Sequence, residues 1–204
     1  MKTSGQGWLE PPERAKMGAI TISRQMSSQG DALAAEVAQR LGWRHVGREL
    51  INQAAVGAGV PDVALAELDE LGIFGLRPSA AAWQAYHYQV QQIIRRLAAE
   101  GQVVIVGRGG QMVLRDCPDV LHVRVVAPFE QRVARLQETR HLPEAAAAAI
   151  IEKSMEARAR YIIQSYDVVL DDPSLYHLML NTGLLGFSPA VELVIQAYRE
   201  LSSG

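Results

Sequence analysis

The feature that most constrains the fold is the strand, loop and helix with which the regular part of the chain begins. Residues 19–23 are a short run of apolar and β-branched residues, as is typical of a buried strand. Residues 31–41 carry an apolar residue at every fourth position, which predicts a helix with one buried face. The link between them, residues 24–30, is short and polar. A strand joined to a helix by such a tight loop opens many phosphate-binding α/β folds.

The rest of the chain alternates short β-branched runs with helical patterns. The further predicted strands are Arg44–Val46, Val103–Val106, Val120–Val126 and residues 178–180. The further predicted helices are residues 49–58, 61–71, Ala80–Glu100, one opened by Pro128, residues 143–164, and a last one capped by Ser188 and Pro189. This alternation implies right-handed crossovers and an α/β fold with a parallel sheet flanked by helices. Ligands of such sheets bind beyond the carboxyl ends of the strands.

The composition fits one domain and argues against two classes of partner. The 204 residues are 49% apolar, which suits a single domain over residues 18–204 after a flexible arm over residues 1–17. The formal net charge of −2 argues against binding to a nucleic acid polymer, which needs a basic surplus. No run of about 18 apolar residues is present, so we expect no membrane contact. The single cysteine, Cys117, excludes an internal disulfide and fits a reducing, cytoplasmic location.

The loop after the first strand has the position and length of a phosphate-binding P-loop, whose pattern is G-x-x-x-x-G-K-[ST]. In that pattern backbone amides hold phosphate, the lysine reaches the terminal phosphates and the hydroxyl holds Mg²⁺. The letters differ here, because Arg24 stands at the first glycine, Gly30 at the lysine and Asp31 at the hydroxyl residue. The candidate loop residues are Ser27, Ser28, Gln29, Gly30 and Asp31.

Asp31 allows two interpretations of this loop. An ordinary loop between strand and helix, with Asp31 favouring a helix N-terminus, explains the same residues. In a phosphate site Asp31 would repel the ligand unless a metal ion lay between them, which makes it a candidate Mg²⁺ ligand.

Two further groups of residues carry candidate chemistry. Gly107 and Arg108 follow a predicted central strand, where glycine lets the backbone approach a ligand and arginine offers a planar fork for phosphate. A glycine turn in which Arg108 pairs with a carboxylate explains the same letters equally well. Basic residues after the fourth strand fit a lid that closes over a transferring phosphate, or a solvated helix face, which we favour for Lys153 and Arg160. They are Arg132, Arg135, Arg140, Lys153, Arg158 and Arg160.

Together these segments resemble the cytidylate kinase-like family, a branch of the P-loop nucleoside monophosphate kinases, from about Ala19 to the last helix. The letters ITISRQ at residues 20–25 and RELI at residues 48–51 resemble two motifs of the family. Further similar letters are VIVGR at 104–108, VLRD at 113–116, LHV at 121–123, AP at 127–128, ARA at 157–159 and LNTG at 180–183. Each piece is short, and their order and spacing carry the resemblance.

The resemblance implies a nucleoside monophosphate kinase-like sheet with a helical lid, and a role for each segment. The loop 24–31 would hold the phosphates of ATP with Mg²⁺. Arg48, Gly107 and Arg108 would lie near an acceptor nucleotide. Arg158 would be a lid arginine, and Arg24 and Arg158 would neutralise the transferring phosphate. The implied activity is transfer of the γ-phosphate of ATP to a nucleoside monophosphate (CMP-like) or a similar small acceptor.

The departures from the family concentrate in the phosphate loop. The family usually has GSGGRE where residues 27–32 are SSQGDA, so two glycines are lost and Asp31 replaces an arginine. A second hypothesis is therefore a catalytically degenerate protein of the same fold that binds a nucleotide or another phosphate ligand as a regulatory module. A third is a structural or partner-binding domain, such as a homodimer, with helix residues 83–97 as its interface.

Overall fold

The computed structural model describes residues 18–57 and 80–203, which are built around a five-stranded sheet. The strands are β1 (Ala19–Arg24), β2 (Arg44–Val46), β3 (Val103–Val106), β4 (Val120–Val126) and β5 (Leu178–Asn181). Their order across the sheet is β2-β3-β1-β4-β5, and every neighbouring pair is parallel. β1 is the central strand, and Ile20 pairs with Val104 on one side and with Leu121 on the other.

Helices cover both faces of the sheet, as the continuous apolar runs of its strands require. The helices of the described residues are α1 (Gly30–Leu41), α2 (Arg48–Gly57), α3 (Ala80–Glu100), α4 (Gly110–Val113), α5 (Phe129–Arg140), α6 (Glu144–Tyr166), α7 (Thr182–Leu185) and α8 (Phe187–Ser203). On one face α1 and α8 pack together, and Leu33 and Val194 are fully buried there. On the other face α2 and α3 bury Ile51 and Ile94.

The two helices after β4 form a hairpin with a small core of its own. Its buried residues are Val133, Leu136, Ala147 and Ile151. Met26, from the loop after β1, packs against this core. The helical region that the resemblance implies therefore corresponds to α5 and α6, and it contacts the candidate phosphate loop.

The order and the type of the predicted elements are confirmed within the described residues. The bounds of α3, β2, β3 and β4 are as predicted, and the other predicted ends that the structure describes are displaced by at most two residues, apart from the start of the last helix. β1 extends to Arg24, so that this arginine ends the strand instead of beginning the loop. The predicted helix 61–71 and the predicted arm 1–17 lie outside the described residues, and the division into an arm and one domain stays a prediction.

One sequence-based expectation is wrong. The last helix begins at Phe187, so Ser188 and Pro189 lie within its first turn instead of capping it. Proline is tolerated there because the backbone N–H groups of the first turn make no helical hydrogen bond. Trp83, Val90 and Ile94, on the helix proposed as a dimer interface, pack into the core of this same chain, and the homodimer stays a prediction. Across residues 18–57 and 80–203, no helix combines the length and the apolar character that crossing a bilayer requires.

Candidate phosphate-binding site

The loop between β1 and α1 is fastened to the neighbouring strand β4. The amide of Gln25 donates to the carbonyl of Val125 at 3.0 Å, and the side-chain oxygen of Gln25 accepts from the amide of Ala127 at 3.1 Å. Ser28 is fully buried, and its hydroxyl donates to the carbonyls of Gln25 and Val125 at 2.9 and 3.3 Å. The loop is therefore held in one shape by its own side chains.

Two non-glycine residues of this loop adopt the left-handed backbone conformation that favours glycine. Ser27 has a φ of 59° and Gln29 a φ of 64°. They are the two positions at which this chain has lost a glycine of the family pattern. A left-handed conformation costs an L-residue about 1–2 kcal/mol, and such strain collects at functional sites. The backbone thus keeps the path of a glycine-rich phosphate loop, although the glycines themselves are gone.

Arg24 closes the loop from the end of β1. Its side chain is only 8% exposed, and its Nε donates to Oδ1 of Asp31 at 3.0 Å. Asp31 lies in the first turn of α1, and its side chain is 65% exposed. The cation and the anion that the sequence places at either end of the loop therefore form an ion pair.

Arg108 lies at the carboxyl end of the neighbouring strand β3, in a largely buried position. It is 6% exposed, and its Nε and Nη2 donate to Oδ1 of Asn52 at 3.2 and 2.9 Å. The guanidinium also lies 5.6 Å from the ring centre of Tyr86 and 5.9 Å from that of Tyr161. Among the described residues its partners are a neutral amide and two aromatic rings, and no carboxylate of this part of the chain pairs with it.

Tyr161 does not supply the missing negative charge. Burial raises the pKa of its hydroxyl well above the usual value, and neighbouring Tyr166 raises it further, although Arg108 acts in the opposite direction. Tyr161 therefore stays a neutral phenol at physiological pH. The positive charge of Arg108 is left without a compensating anion among the residues that the structure describes.

Arg48 begins α2 just after β2, at the same carboxyl edge of the sheet as Arg108. Its Nη2 lies 3.1 Å from Oε1 of Glu49. Burial raises the pKa of Glu49, but a backbone hydrogen bond and the charges of Arg48 and Arg24 outweigh it, so that this pKa lies below its usual value. The charge of Arg24, at the end of β1, thus acts on a carboxylate at the start of α2.

Two arginines of the α5–α6 hairpin contact the phosphate loop. Nη1 of Arg158 donates to the backbone carbonyl of Arg24, and Nη1 of Arg135 donates to that of Ser27 at 3.3 Å. Lys153 and Arg160, from the same basic run, are exposed. The structure therefore brings Arg24, Arg158 and the loop together.

Comparison with known proteins places the chain in a family. The model of the "Cytidylate kinase-like family" matches residues 19–184. The chain belongs to this family. It is 27% identical over 170 residues to the cytidylate kinase of Pyrococcus horikoshii, a match covering 80% of this chain and 79% of that protein. It is also 25% identical over 153 residues to a protein named uronate isomerase from Corynebacterium glutamicum, covering 74% of this chain but only 29% of that relative's length.

Solved structures support the same fold for this member of the cytidylate kinase-like family. An uncharacterized protein from Eubacterium ventriosum superimposes with a TM-score of 0.70 at 20% identity, over 89% of this chain and 98% of the other. Shikimate kinase from Bacteroides thetaiotaomicron superimposes with a TM-score of 0.53 at 12% identity, over 91% and 98% of the two chains. The fold is thus that of small-molecule P-loop kinases.

The described residues of this cytidylate kinase-like chain include four buried arginines, and only two of them pair with a carboxylate. Arg24 pairs with Asp31, and Arg124, on β4, pairs with Asp171 at 2.6 Å. Arg108 and Arg132 have no carboxylate partner in the described part of the chain. A buried cation without a counter-ion is costly, so these two positions favour an anionic ligand.

Arg132 is the more deeply buried of the two, at 3% exposed. Its Nε donates to the carbonyl of Ala127 at 3.0 Å and its Nη2 contacts the sulfur of Met155 at 3.4 Å, whereas its Nη1 has no hydrogen-bond partner among the described residues. Burial lowers the pKa of Arg132, and the charge of Arg124 lowers it further. Phe129, whose ring centre lies 5.5 Å from this guanidinium, and Met155 also line a cleft of about 470 Å³ on the hairpin.

The residues present fit Mg²⁺ only through a single carboxylate. Within residues 18–57 and 80–203, no three histidine, cysteine, aspartate or glutamate side chains are grouped so that they could hold a metal. Mg²⁺ usually binds one or two carboxylates together with substrate phosphates. The exposed carboxylate of Asp31, at the start of α1, fits that mode.

Sequence reasoning missed three residues of the site. Asn52 on α2, Tyr86 on α3 and Tyr161 on α6 converge on Arg108 from distant parts of the chain. The sequence signal for Tyr86 was its helical spacing with Val90, which indicates only a buried position.

Proposed function

We propose that the protein is a phosphotransferase that moves the γ-phosphate of ATP to a nucleoside monophosphate of the CMP type or to a similar small acceptor. The observation that carries the proposal is the buried charge of Arg108. A 6% exposed guanidinium held by an amide and two tyrosine rings is suited to receive an anion that residues 18–57 and 80–203 do not supply. The phosphate of an acceptor nucleotide meets that requirement.

The kinase proposal gives the other arginines a consistent task. Phosphoryl transfer needs little covalent chemistry from the protein, and it depends on positioning and on neutralising the charge of the transferring group. Arg158 touches the end of β1 from helix α6 of the hairpin, so it would approach that group from this helix. Arg48 would lie at the acceptor side, and the amides of the loop 27–30 would hold the donor phosphates. ATP and Mg²⁺ supply the phosphoryl group and part of the neutralising charge when they are bound.

A second candidate function is a regulatory protein that binds a nucleotide or other phosphate ligand without transferring phosphate. Two observations favour it. The loop is locked by the buried hydroxyls of Ser28 and Thr182, and the latter donates to the carbonyl of Ser28 at 2.7 Å. The cation of Arg24 is already paired with Asp31. A cytoplasmic location and the oligomeric state stay predictions under both functions.

The substitution Arg108→Ala tests the proposed function. In a coupled kinase assay with CMP as the acceptor, we expect the KM for CMP to rise at least tenfold, because the anion loses its partner. Arg115→Ala is a matched control, since Arg115 has 66% of its side chain exposed and pairs with Asp116. Wild-type acceptor affinity in Arg108→Ala would contradict the role of Arg108. Tight ATP binding without transfer to any nucleoside monophosphate would favour the regulatory function.

A further inference from the structure

Gly30 is a glycine because the side chain of Arg24 occupies the space beside it. A Cβ on Gly30 would lie 2.4 Å from Cβ and 2.9 Å from Cγ of Arg24, and 3.3 Å from Cβ of Val125. The near part of the Arg24 side chain cannot turn away as a flexible tip would. No side chain can therefore be accommodated at position 30 while Arg24 keeps this conformation.

The far end of Arg24 reaches across the loop toward β3. Its Nη1 lies 3.2 Å from the point that a Cβ on Gly107 would occupy. Its Nε meets Asp31 at the start of α1. The guanidinium is thus between the phosphate loop and the turn that carries Arg108, at the place where a donor phosphate and an acceptor would meet.

Arg24 and Gly30, which meet in the first of these contacts, are two of the positions at which the loop departs from the P-loop pattern. That pattern has glycine where Arg24 stands and lysine where Gly30 stands. The chain has a cation at the first position and no side chain at the second. A cation and a glycine have therefore changed places, and the steric contact between residues 24 and 30 explains why both changes occur together.

We propose that Arg24 takes the part of the missing P-loop lysine and binds the terminal phosphates of a nucleoside triphosphate. This inference rests on the proposed function for the identity of the ligand, but it concerns triphosphate binding alone. An arginine at the strand end delivers its charge to the same loop as a lysine at the helix start, and its planar fork suits two phosphate oxygens. Asp31 is the exposed counter-ion that Arg24 exchanges for phosphate when the ligand arrives.

The test restores the P-loop pattern at positions 24 and 30 of the full-length protein. We would measure binding of ATP and of inorganic tripolyphosphate by calorimetry to wild type, Arg24→Gly, Gly30→Lys and the double variant Arg24→Gly/Gly30→Lys. Arg24→Gly should weaken binding of both ligands at least tenfold. Gly30→Lys should do the same and should also lower the melting temperature, because the lysine and Arg24 collide. The double variant should recover binding to within a few-fold of wild type.

Two further variants keep the test decisive if Gly30→Lys does not fold. Arg24→Lys should retain triphosphate binding within a few-fold, whereas the similarly sized, neutral Arg24→Gln should lose at least tenfold. Arg115→Gln, at an exposed position, is the control and should bind as wild type does.

The inference is overturned if wild type binds neither ligand at millimolar concentration. It is also overturned if Arg24→Gln binds tripolyphosphate as tightly as wild type, or if the folded double variant binds no better than Arg24→Gly. Failure of the proposed function has a different signature. In that case triphosphate binding depends on Arg24 as described, but no phosphate reaches an acceptor.

Discussion

Arg108 donates two hydrogen bonds to the same oxygen of Asn52, from Nη2 at 2.9 Å and from Nε at 3.2 Å. The amide orients the guanidinium but leaves its charge intact, whereas a carboxylate at that position would neutralise it. Asn52 therefore fixes the direction of the cation and preserves its attraction for an acceptor anion.

The substitution Asn52→Asp should stabilise the empty protein and impair the acceptor site. A hydrogen bond between ions is worth roughly 1 kcal/mol more than one to a neutral partner, so the free energy of unfolding should rise by about that amount. The KM for CMP should rise at least tenfold, because the new carboxylate occupies Arg108. Urea unfolding and the coupled assay measure the two effects.

The control for Asn52→Asp is Gln53→Glu, which adds the same charge on the exposed side of the same helix. It should change neither stability nor the KM for CMP appreciably. An Asn52→Asp protein that binds the acceptor as well as wild type would show that the charge of Arg108 is not used.

The left-handed residues of the phosphate loop give a second prediction. Ser27→Gly and Gln29→Gly should each raise the free energy of unfolding by about 0.5–1 kcal/mol, because relief of backbone strain exceeds the extra flexibility of the unfolded chain. They should also tighten triphosphate binding, since the backbone can approach the ligand more closely. Urea unfolding and calorimetry with ATP measure the two effects.

Gln102 offers a matched control for these loop variants. It has a φ of 51° in the turn between α3 and β3, and its side chain is exposed. Gln102→Gly should give a similar gain in stability without any change in triphosphate affinity. Equal effects of Gln102→Gly and Gln29→Gly on ATP binding would contradict a specific role of the phosphate loop in binding the triphosphate.

His122 predicts a specific pH dependence of stability. Burial, together with the nearby charge of His177, lowers its pKa from 6.5 to about 4. Between those two pH values the unfolded chain binds a proton that the folded chain does not. The contribution of His122 to the free energy of unfolding should therefore be fully present above pH 6.5. It should be lost as the pH drops toward 4, which lowers the free energy of unfolding by up to about 3 kcal/mol.

The variant His122→Gln isolates that contribution from the carboxylates, which also titrate in this range. It removes the ionisable ring that contacts Thr21 at 2.7 Å. Urea unfolding of both proteins at several pH values should give a smaller loss of stability in the variant on acidification. Parallel stability curves for the two proteins would mean that His122 titrates normally in the folded state.

Arg132 provides a prediction about the cost of an unpartnered charge. Arg132→Met keeps much of the apolar contact with Phe129 and Met155 but removes the buried guanidinium. The free energy of unfolding without ligand should stay the same or rise by about 1 kcal/mol, because desolvation of an unpaired charge is avoided. ATP should bind more weakly if Arg132 receives an anion. A loss of several kcal/mol on urea unfolding would instead make Arg132 a structural residue.

The fold was predictable from local pattern, and the loop geometry was predictable only in part. Val103–Val106 is an unbroken run of β-branched residues, and such a run fits a strand that is buried on both faces. Helix α3 has its apolar residues at helical spacing and is followed by Gly101, which made its C-terminal end recognisable. The same signals could not show that Ser27 and Gln29 are left-handed, since only tertiary contacts impose that conformation on polar residues.

The site was harder to predict because its partners come from separate helices. Arg108 was identified from its place after a central strand, but nothing local to it indicates Asn52 or Tyr161. Whether Arg24 folds into the loop or away from it depended on the packing of its stem against Gly30. Periodicity reports which residues are buried, and it does not report which buried residues meet.

The most direct test of the central claim is phosphorus NMR of the full-length protein incubated with ATP, Mg²⁺ and CMP. The account predicts that the γ-phosphate signal of ATP declines as the signals of ADP and CDP appear, and that Arg108→Ala slows this transfer strongly. A spectrum unchanged over many hours for CMP and for the other nucleoside monophosphates would contradict phosphoryl transfer to a nucleotide acceptor.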